Sequence, residues 1–191
     1  MKKLAVIAMM LPTMAIAQEQ AEFKPHPYAG ISLHSGAYAD DSLDPISLVG
    51  FGLKAGFQFH ENIAVELRHV QGTSEGEFSS SDERFYNVYN SEVTLESATS
   101  LLLKPQANLS FGSVYGLFGF STVEIEVKFE DDQFIYKGES EEDNKFSLGL
   151  GTDIALNDNL MANVELLSYY IDGEDDANYL AFNLGIDYHF K

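Results

Sequence analysis

The chain is patterned in twos. In "SLVGFGLKAGFQF" (47–59), Phe51, Leu53, Ala55, Phe57 and Phe59 share one parity, and Gly50, Gly52, Lys54, Gly56 and Gln58 share the other. Alternation with period two marks a strand with one apolar and one polar face. The rhythm returns in "IAVELRHVQG" (63–72), where Ile63, Val65 and Leu67 oppose Ala64, Glu66 and Arg68. In 91–107, Leu95, Leu101, Leu103 and Ala107 oppose Glu96, Ser100, Lys104 and Gln106. In 113–129, Val123, Ile125, Val127 and Phe129 oppose Glu124, Glu126 and Lys128. In 144–156, Phe146, Leu148, Leu150, Ile154 and Leu156 oppose Ser147, Gly149, Gly151 and Asp153. With 28–39, 160–171 and a terminal strand ending "NLGIDYHFK", the pattern predicts eight strands.

The connections alternate in length. "HEN", "NLSFG" and "NDN" follow strands two, four and six, whereas the segments around 73–91 and 130–144 are far longer than hairpin loops. Short turns at one end and long loops at the other are the pattern of a transmembrane β-barrel. "MKKLAVIAMMLPTMAIAQEQ" adds a direction of travel. Lys2 and Lys3 precede an apolar run from Leu4 to Ile16, and Ala15-Ile16-Ala17 reads as a small-x-small cleavage site. The expected organisation is a cleaved secretory signal at 1–17, a short lead at 18–27 and a barrel domain at 28–191. Beyond the signal no run of 18 apolar residues occurs, so no transmembrane helix is expected.

Period two leaves open which face is inside. A soluble barrel of lipocalin type would turn Phe57 and Ile125 inward around an apolar ligand; a membrane barrel turns them to lipid. Three features favour the membrane. The polar parity of 47–59 and 144–156 is rich in glycine, which suits a crowded lumen. The strands reach or exceed the roughly 9–11 residues that cross a bilayer on a tilt. The terminal segment reads as a strand, where a lipocalin would continue into a helix. In hydrocarbon every backbone polar group must be paired, so the last strand is expected to close on the first. Phe57, Phe59, Phe111, Tyr188 and Phe190 then form an aromatic band at the short-turn end, and Phe129, Tyr170 and Tyr179 one at the other.

The signal, the eight strands, the "GFGLKAGFQFHENIAVELRHVQG" hairpin and the terminal strand resemble the OmpA-like, or OmpX-like, eight-stranded outer-membrane β-barrel superfamily. The resemblance covers about 28–190. It implies an antiparallel up-and-down transmembrane barrel with short periplasmic turns and longer acidic extracellular loops, in the outer membrane of a Gram-negative type envelope. Asn183, Gly185, Tyr188 and Phe190 fit the family's C-terminal assembly signal, which implies recognition by the barrel-assembly machinery. Lys191 departs from that pattern by following the final aromatic residue.

In this orientation the polar parity fills the lumen with Lys54, Glu66, Arg68, Lys104, Asp153, Glu165 and Asp187. Three cations against four anions is close to the balance a buried network needs. An eight-stranded barrel is narrow enough for side chains to fill. Phe118, Phe120, Leu167 and Ile171 share the lumenal parity, which requires either apolar interior zones or a bulge. The hydrophobic content of 45% excludes a disordered chain, and the net charge of −19 excludes a nucleic-acid partner. The absence of cysteine removes disulfides and thiolate sites.

Residues 40–47, 73–91, 130–144 and 172–177 hold 18 of the 30 acids, opposed there only by Arg84 and Lys137. Such loops are a solvated, self-repelling surface. Their oxygens offer weak divalent-cation ligation that would bridge to lipopolysaccharide, although "DGEDD" matches no EF-hand spacing. Phe85, Tyr86 and Tyr89 in the second loop are candidates for contact with a partner. His34-Ser35 raises the question of a lipid A-modifying enzyme, but adjacent strand residues point to opposite faces and cannot form a catalytic pair. The expectation is a monomeric, non-enzymatic barrel without cofactor, held among outer-membrane lipid and lipopolysaccharide. Its expected role is structural or at the surface (integrity, adhesion or resistance), with a narrow gated channel as the first alternative and the enzyme as the second.

Overall fold

The computed structural model describes residues 23–40, 43–73, 75–80, 89–131, 134–137, 141–169 and 178–191. Its strands are β1 His26–Asp40, β2 Leu43–His60, β3 Ile63–Gly72, β4 Glu75–Ser80, β5 Tyr89–Leu109, β6 Gly112–Asp131, β7 Phe134–Lys137, β8 Glu141–Ala155, β9 Leu160–Ser168 and β10 Asn178–His189. Eight of them close a ring in the order β1-β2-β3-β5-β6-β8-β9-β10, every pairing antiparallel. The closing pair runs from Tyr28 opposite His189 to Ala39 opposite Asn178. That ring leaves no free sheet edge, as a barrel bathed in hydrocarbon must.

β4 and β7 lie outside the ring. β4 pairs with the upper part of β5, and β7 with the end of β6. Parts of the two segments expected to be plain loops are therefore strands that continue the sheet past the barrel. The expected signal at 1–17 and residues 18–22 of the lead lie outside the described residues, as do Arg84, Phe85, Tyr86, Tyr170, Ile171 and the acidic run 172–177.

The short turns have local causes. Asn157 Oδ1 accepts the backbone N–H groups of Asn159 and Leu160, both at 2.9 Å, an Asx turn that reverses the chain between β8 and β9. Asn159 then joins the C-terminal strand. Its backbone carbonyl accepts from His189 N at 2.7 Å, and its side-chain amide donates to the His189 carbonyl at 2.7 Å.

The two parities separate as a membrane barrel requires. Leu150 is 64% and Phe57 43% exposed, whereas Lys54 is 6% and Glu165 2% exposed. Phe59, Phe111, Tyr188 and Phe190 stand on the outer face at the short-turn end. The expected second aromatic band does not include Tyr179, which is buried in the lumen.

One strand has the opposite sidedness to that expected. In β6, Val123 is fully buried and Ile125 packs against the interior cluster, while Phe120 is 66% exposed. Phe118 and Phe120 therefore belong to the outward parity. A bulge between Leu95 and Ser97 in β5 also turns Leu95 inward. Below it Ala98, Ser100, Leu102 and Lys104 face the lumen, all of the opposite parity to Leu95. The upper lumen is filled by Leu48, Leu95, Leu102, Leu117, Val123 and Leu167, so at that height an apolar residue can be the inner one.

Candidate functional site

The lumen is built in layers, and the middle layer is ionic. Lys54 on β2 reaches Asp187 on β10 at 2.9 Å and Glu165 on β9 at 3.4 Å. Arg68 on β3 clasps Glu165 with both terminal nitrogens, at 2.5 and 2.9 Å. Arg68 Nε donates to Glu66 Oε2 at 2.7 Å, and the same oxygen also receives an Nη2 hydrogen bond. Lys104 on β5 binds Asp153 on β8 at 3.0 Å and Glu66 at 3.4 Å. All seven charged residues singled out in the sequence are buried and belong to this one connected cluster.

Three uncharged residues complete the layer. Tyr28 on β1 donates to Glu66 at 2.5 Å, and Tyr115 on β6 donates to Glu165 at 2.7 Å. Ser113 on β6 donates to Asp153 Oδ2 at 3.0 Å. Lys104 Nζ sits 3.9 Å from the centroid of the Tyr115 ring, a cation–π contact in a desolvated setting. With these partners every one of the eight ring strands contributes a side chain to the network.

Tyr28, Ser113 and Tyr115 escaped the charge pattern, but the sequence carries a trace of the two tyrosines. Tyr28 pairs opposite Gly56 and Tyr115 opposite Gly151. A Cβ on Gly56 would overlap the Tyr28 ring, and one on Gly151 would lie 2.6 Å from Tyr115 Cε2. The glycines of the polar parity are the space into which lumenal rings lie down. For Tyr28, a tyrosine on the polar parity of one strand with a glycine on the next is therefore a readable signal; Tyr115 shares the parity of Val123 and Ile125, and only the glycine opposite marks it.

Above the network the lumen is largely apolar. Leu48, Leu102, Leu117 and Leu167 are fully buried and pack with Tyr169 and Tyr179. A hydroxyl chain sits at their side, Ser147 donating to Ser121 and Ser121 to Ser100, each at 2.7 Å. His34 is buried, one ring nitrogen 2.8 Å from Asn183 Oδ1 and the other 2.6 Å from the Tyr179 hydroxyl. Ser35 faces outward on the exposed side of β1. The two residues occupy opposite faces, and His34 is occupied by an amide and a phenol. Among the described residues no cluster of three or more His, Cys, Asp or Glu side chains is arranged to hold a metal ion.

Of the C-terminal residues singled out, Asn183 is lumenal and Tyr188 and Phe190 point outward, their rings 5.0 Å apart and edge to face. Gly185 pairs with Ser32 on β1 and Asn163 on β9.

Comparison with known proteins agrees with this architecture. The family model described as "Outer membrane protein beta-barrel domain" matches residues 4–190. The chain is similar in structure to Ail, the attachment invasion locus protein of Yersinia pestis, with a TM-score of 0.61 at 16% identity, covering 88% of this chain and 100% of that one. It is similar to a major outer membrane protein of Thermus thermophilus, with a TM-score of 0.54 at 16% identity and coverage of 86% and 99%. It is also similar to OprG of Pseudomonas aeruginosa, with a TM-score of 0.53 at 15% identity and coverage of 87% and 95%. No curated protein sequence matches the chain.

Proposed function

The chain belongs to the outer membrane protein beta-barrel domain family, and from that premise we propose that it is a sealed, non-enzymatic, monomeric barrel with a structural or surface-interaction role. The observation that carries this reading is the double closure of the lumen. A layer of salt bridges and hydrogen bonds that draws on all eight ring strands lies beneath an apolar plug, so an ion crossing the barrel must first break buried pairs and then enter a largely apolar zone. Such a lumen favours a plugged barrel over a narrow channel. The lack of a serine–histidine pair at His34 speaks against a lipid A-modifying enzyme.

In this reading residues 1–17 direct export, and Asn183, Gly185, Tyr188 and Phe190 present the terminal strand to the assembly machinery. The short turns face the periplasm, and the acidic segments face outward among lipopolysaccharide and divalent cations. A surface role is supported by the likeness to Ail, a protein named for attachment and invasion. Conductance in planar bilayers tests the proposal. The purified, refolded protein is expected to give no reproducible unitary openings; regular steps that persist across preparations would replace the sealed barrel with the channel.

A further inference from the structure

The outer face of the barrel is not apolar to one height. On β10 the outward positions are Leu180, Phe182, Leu184, Ile186, Tyr188 and, just past the strand, Phe190, every one of them exposed. A strand tilted by about 40° gains about 2.5 Å of height per residue, so that run covers the roughly 25 Å of an apolar belt. β3 leaves the same end of the barrel from the turn at Glu61 and Asn62. It presents only Ile63, Val65 and Leu67 before His69, Gln71 and, past the strand, Thr73 take the exposed outward positions.

The change follows the hydrogen-bonded rows of the sheet. Leu67 pairs with Leu101, Leu101 with Phe120 and Phe120 with Phe146, an exposed apolar row across four strands. Two residues further along, His69 pairs with Thr99 and Thr99 with Thr122; in the row after that, Gln71 pairs with Ser97 and Ser97 with Glu124. These polar side chains bond sideways. His69 Nδ1 lies 2.9 Å from Thr99 Oγ1, Gln71 donates to the Glu96 carbonyl at 2.7 Å, and Ser97 donates to Glu124 at 2.9 Å.

On its other side β3 meets the opposite chemistry. Leu53 pairs with His69, Phe51 pairs with Gln71, and the Val49 carbonyl accepts the Thr73 N–H. All three β2 residues are exposed. The border between β2 and β3 is therefore a ledge, with the apolar wall continuing four residues further up β2, about 10 Å of height. Tilting the barrel cannot reconcile the two sides, because the strands are neighbours. Phe51 and Leu53 need acyl chains around them. His69 and Gln71 each keep a polar atom that the sideways bond does not use, and hydrocarbon offers it no partner. The polar rows run without a break to Thr73 and Glu124, so the headgroup layer can reach them from the long-loop end.

We propose that the β3–β5–β6 wall binds lipid headgroups: at β3 the headgroup layer of the outer leaflet descends by about 10 Å to His69 and Gln71, while acyl chains pack on Phe51 and Leu53 of the adjacent strand. Which leaflet is outer rests on the orientation proposed above, whereas the depth of a reporter in the bilayer does not depend on it. The chain has no tryptophan, so Leu67→Trp and Leu150→Trp are each a lone reporter. The full barrel is folded into phosphatidylcholine vesicles that hold no other protein and carry bromine either near the headgroup or near the chain end. Leu67 is the fifth residue of β3 from the short-turn end and Leu150 the sixth of β8, both exposed, so a flat bilayer places them at nearly equal depth. Leu67→Trp is expected about 5 Å from the polar boundary, two residues below His69, and quenched more by the headgroup-side bromine. Leu150→Trp is expected to be quenched more by the chain-end bromine. Adding His69→Leu and Gln71→Leu should deepen the first reporter by at least about 5 Å and leave the second in place. Should that variant fail to fold, the comparison of the two reporters in the parent barrel decides. The proposal is overturned if both reporters lie at equal depth, if the leucine pair leaves the first where it was, or if its shallow signal appears only at high protein-to-lipid ratio, which would make a second copy of the chain the occupant.

Discussion

Replacing Arg68 by methionine keeps much of the side chain's volume and removes its charge. The guanidinium contacts two carboxylates, Glu66 and Glu165, through all three of its nitrogens. At an effective dielectric constant near 20, each unit-charge pair at 4 Å is worth about 4 kcal/mol. Two such pairs give a gross attraction of about 8 kcal/mol, offset by several kcal/mol spent on burying the arginine. Truncation also leaves two cations, Lys54 and Lys104, to hold four buried anions. We therefore expect Arg68→Met to cost about 3–5 kcal/mol, the range for breaking a buried pair. The assay is a guanidinium titration of the barrel folded into lipid vesicles, followed by the mobility difference between folded and unfolded forms on unheated gels. The midpoint should fall while the slope stays constant, since the buried surface is unchanged. Glu165→Gln in the same background completes a double-mutant cycle. Because each single change strands the other's partner, the pair should be less damaging than their sum by about 2 kcal/mol. A loss below about 1 kcal/mol, with additivity within about 0.5 kcal/mol, would mean that water or another cation serves Glu66 and Glu165 equally well, and the stitched-barrel account would fall.

Other expectations concern packing and sidedness. Leu117→Ala in the apolar plug should lower stability by about 2–5 kcal/mol through a cavity that neighbours cannot fill, whereas Leu150→Ala on the outer face exchanges one apolar contact for lipid and should cost far less in the same titration. Gly151→Val drives a side chain into Tyr115, and the overpacking should cost about 1–3 kcal/mol in that assay. The orientation of β6 is tested by tryptophan: Phe120→Trp should be quenched by brominated lipid, and Val123→Trp should not. Quenching of the second alone would restore the opposite sidedness.

The strands and their closure were legible because alternation belongs to each strand separately. Leu53, Phe57, Leu150 and Ile186 lie outward, as their parity predicts, and the Asn157 turn that the "NDN" segment predicts lies between β8 and β9. The seven charges were legible for a similar reason: a charged side chain on a strand facing lipid must turn inward, and a narrow lumen brings any such set within reach. Tyr28 and Tyr115 were not, because a tyrosine suits the interface, the lipid face and the lumen alike until a glycine opposite makes room for it. Val123, Ile125 and Leu95 lie inward where their parity predicts outward, because polarity alone does not choose the inner face. Choice by polarity fails where the lumen itself is apolar, and it fails again across the bulge between Leu95 and Ser97. Period two tells a strand that its faces differ. Which face is inner at a given height depends on what the seven other strands place at that level, and only the closed ring determines it.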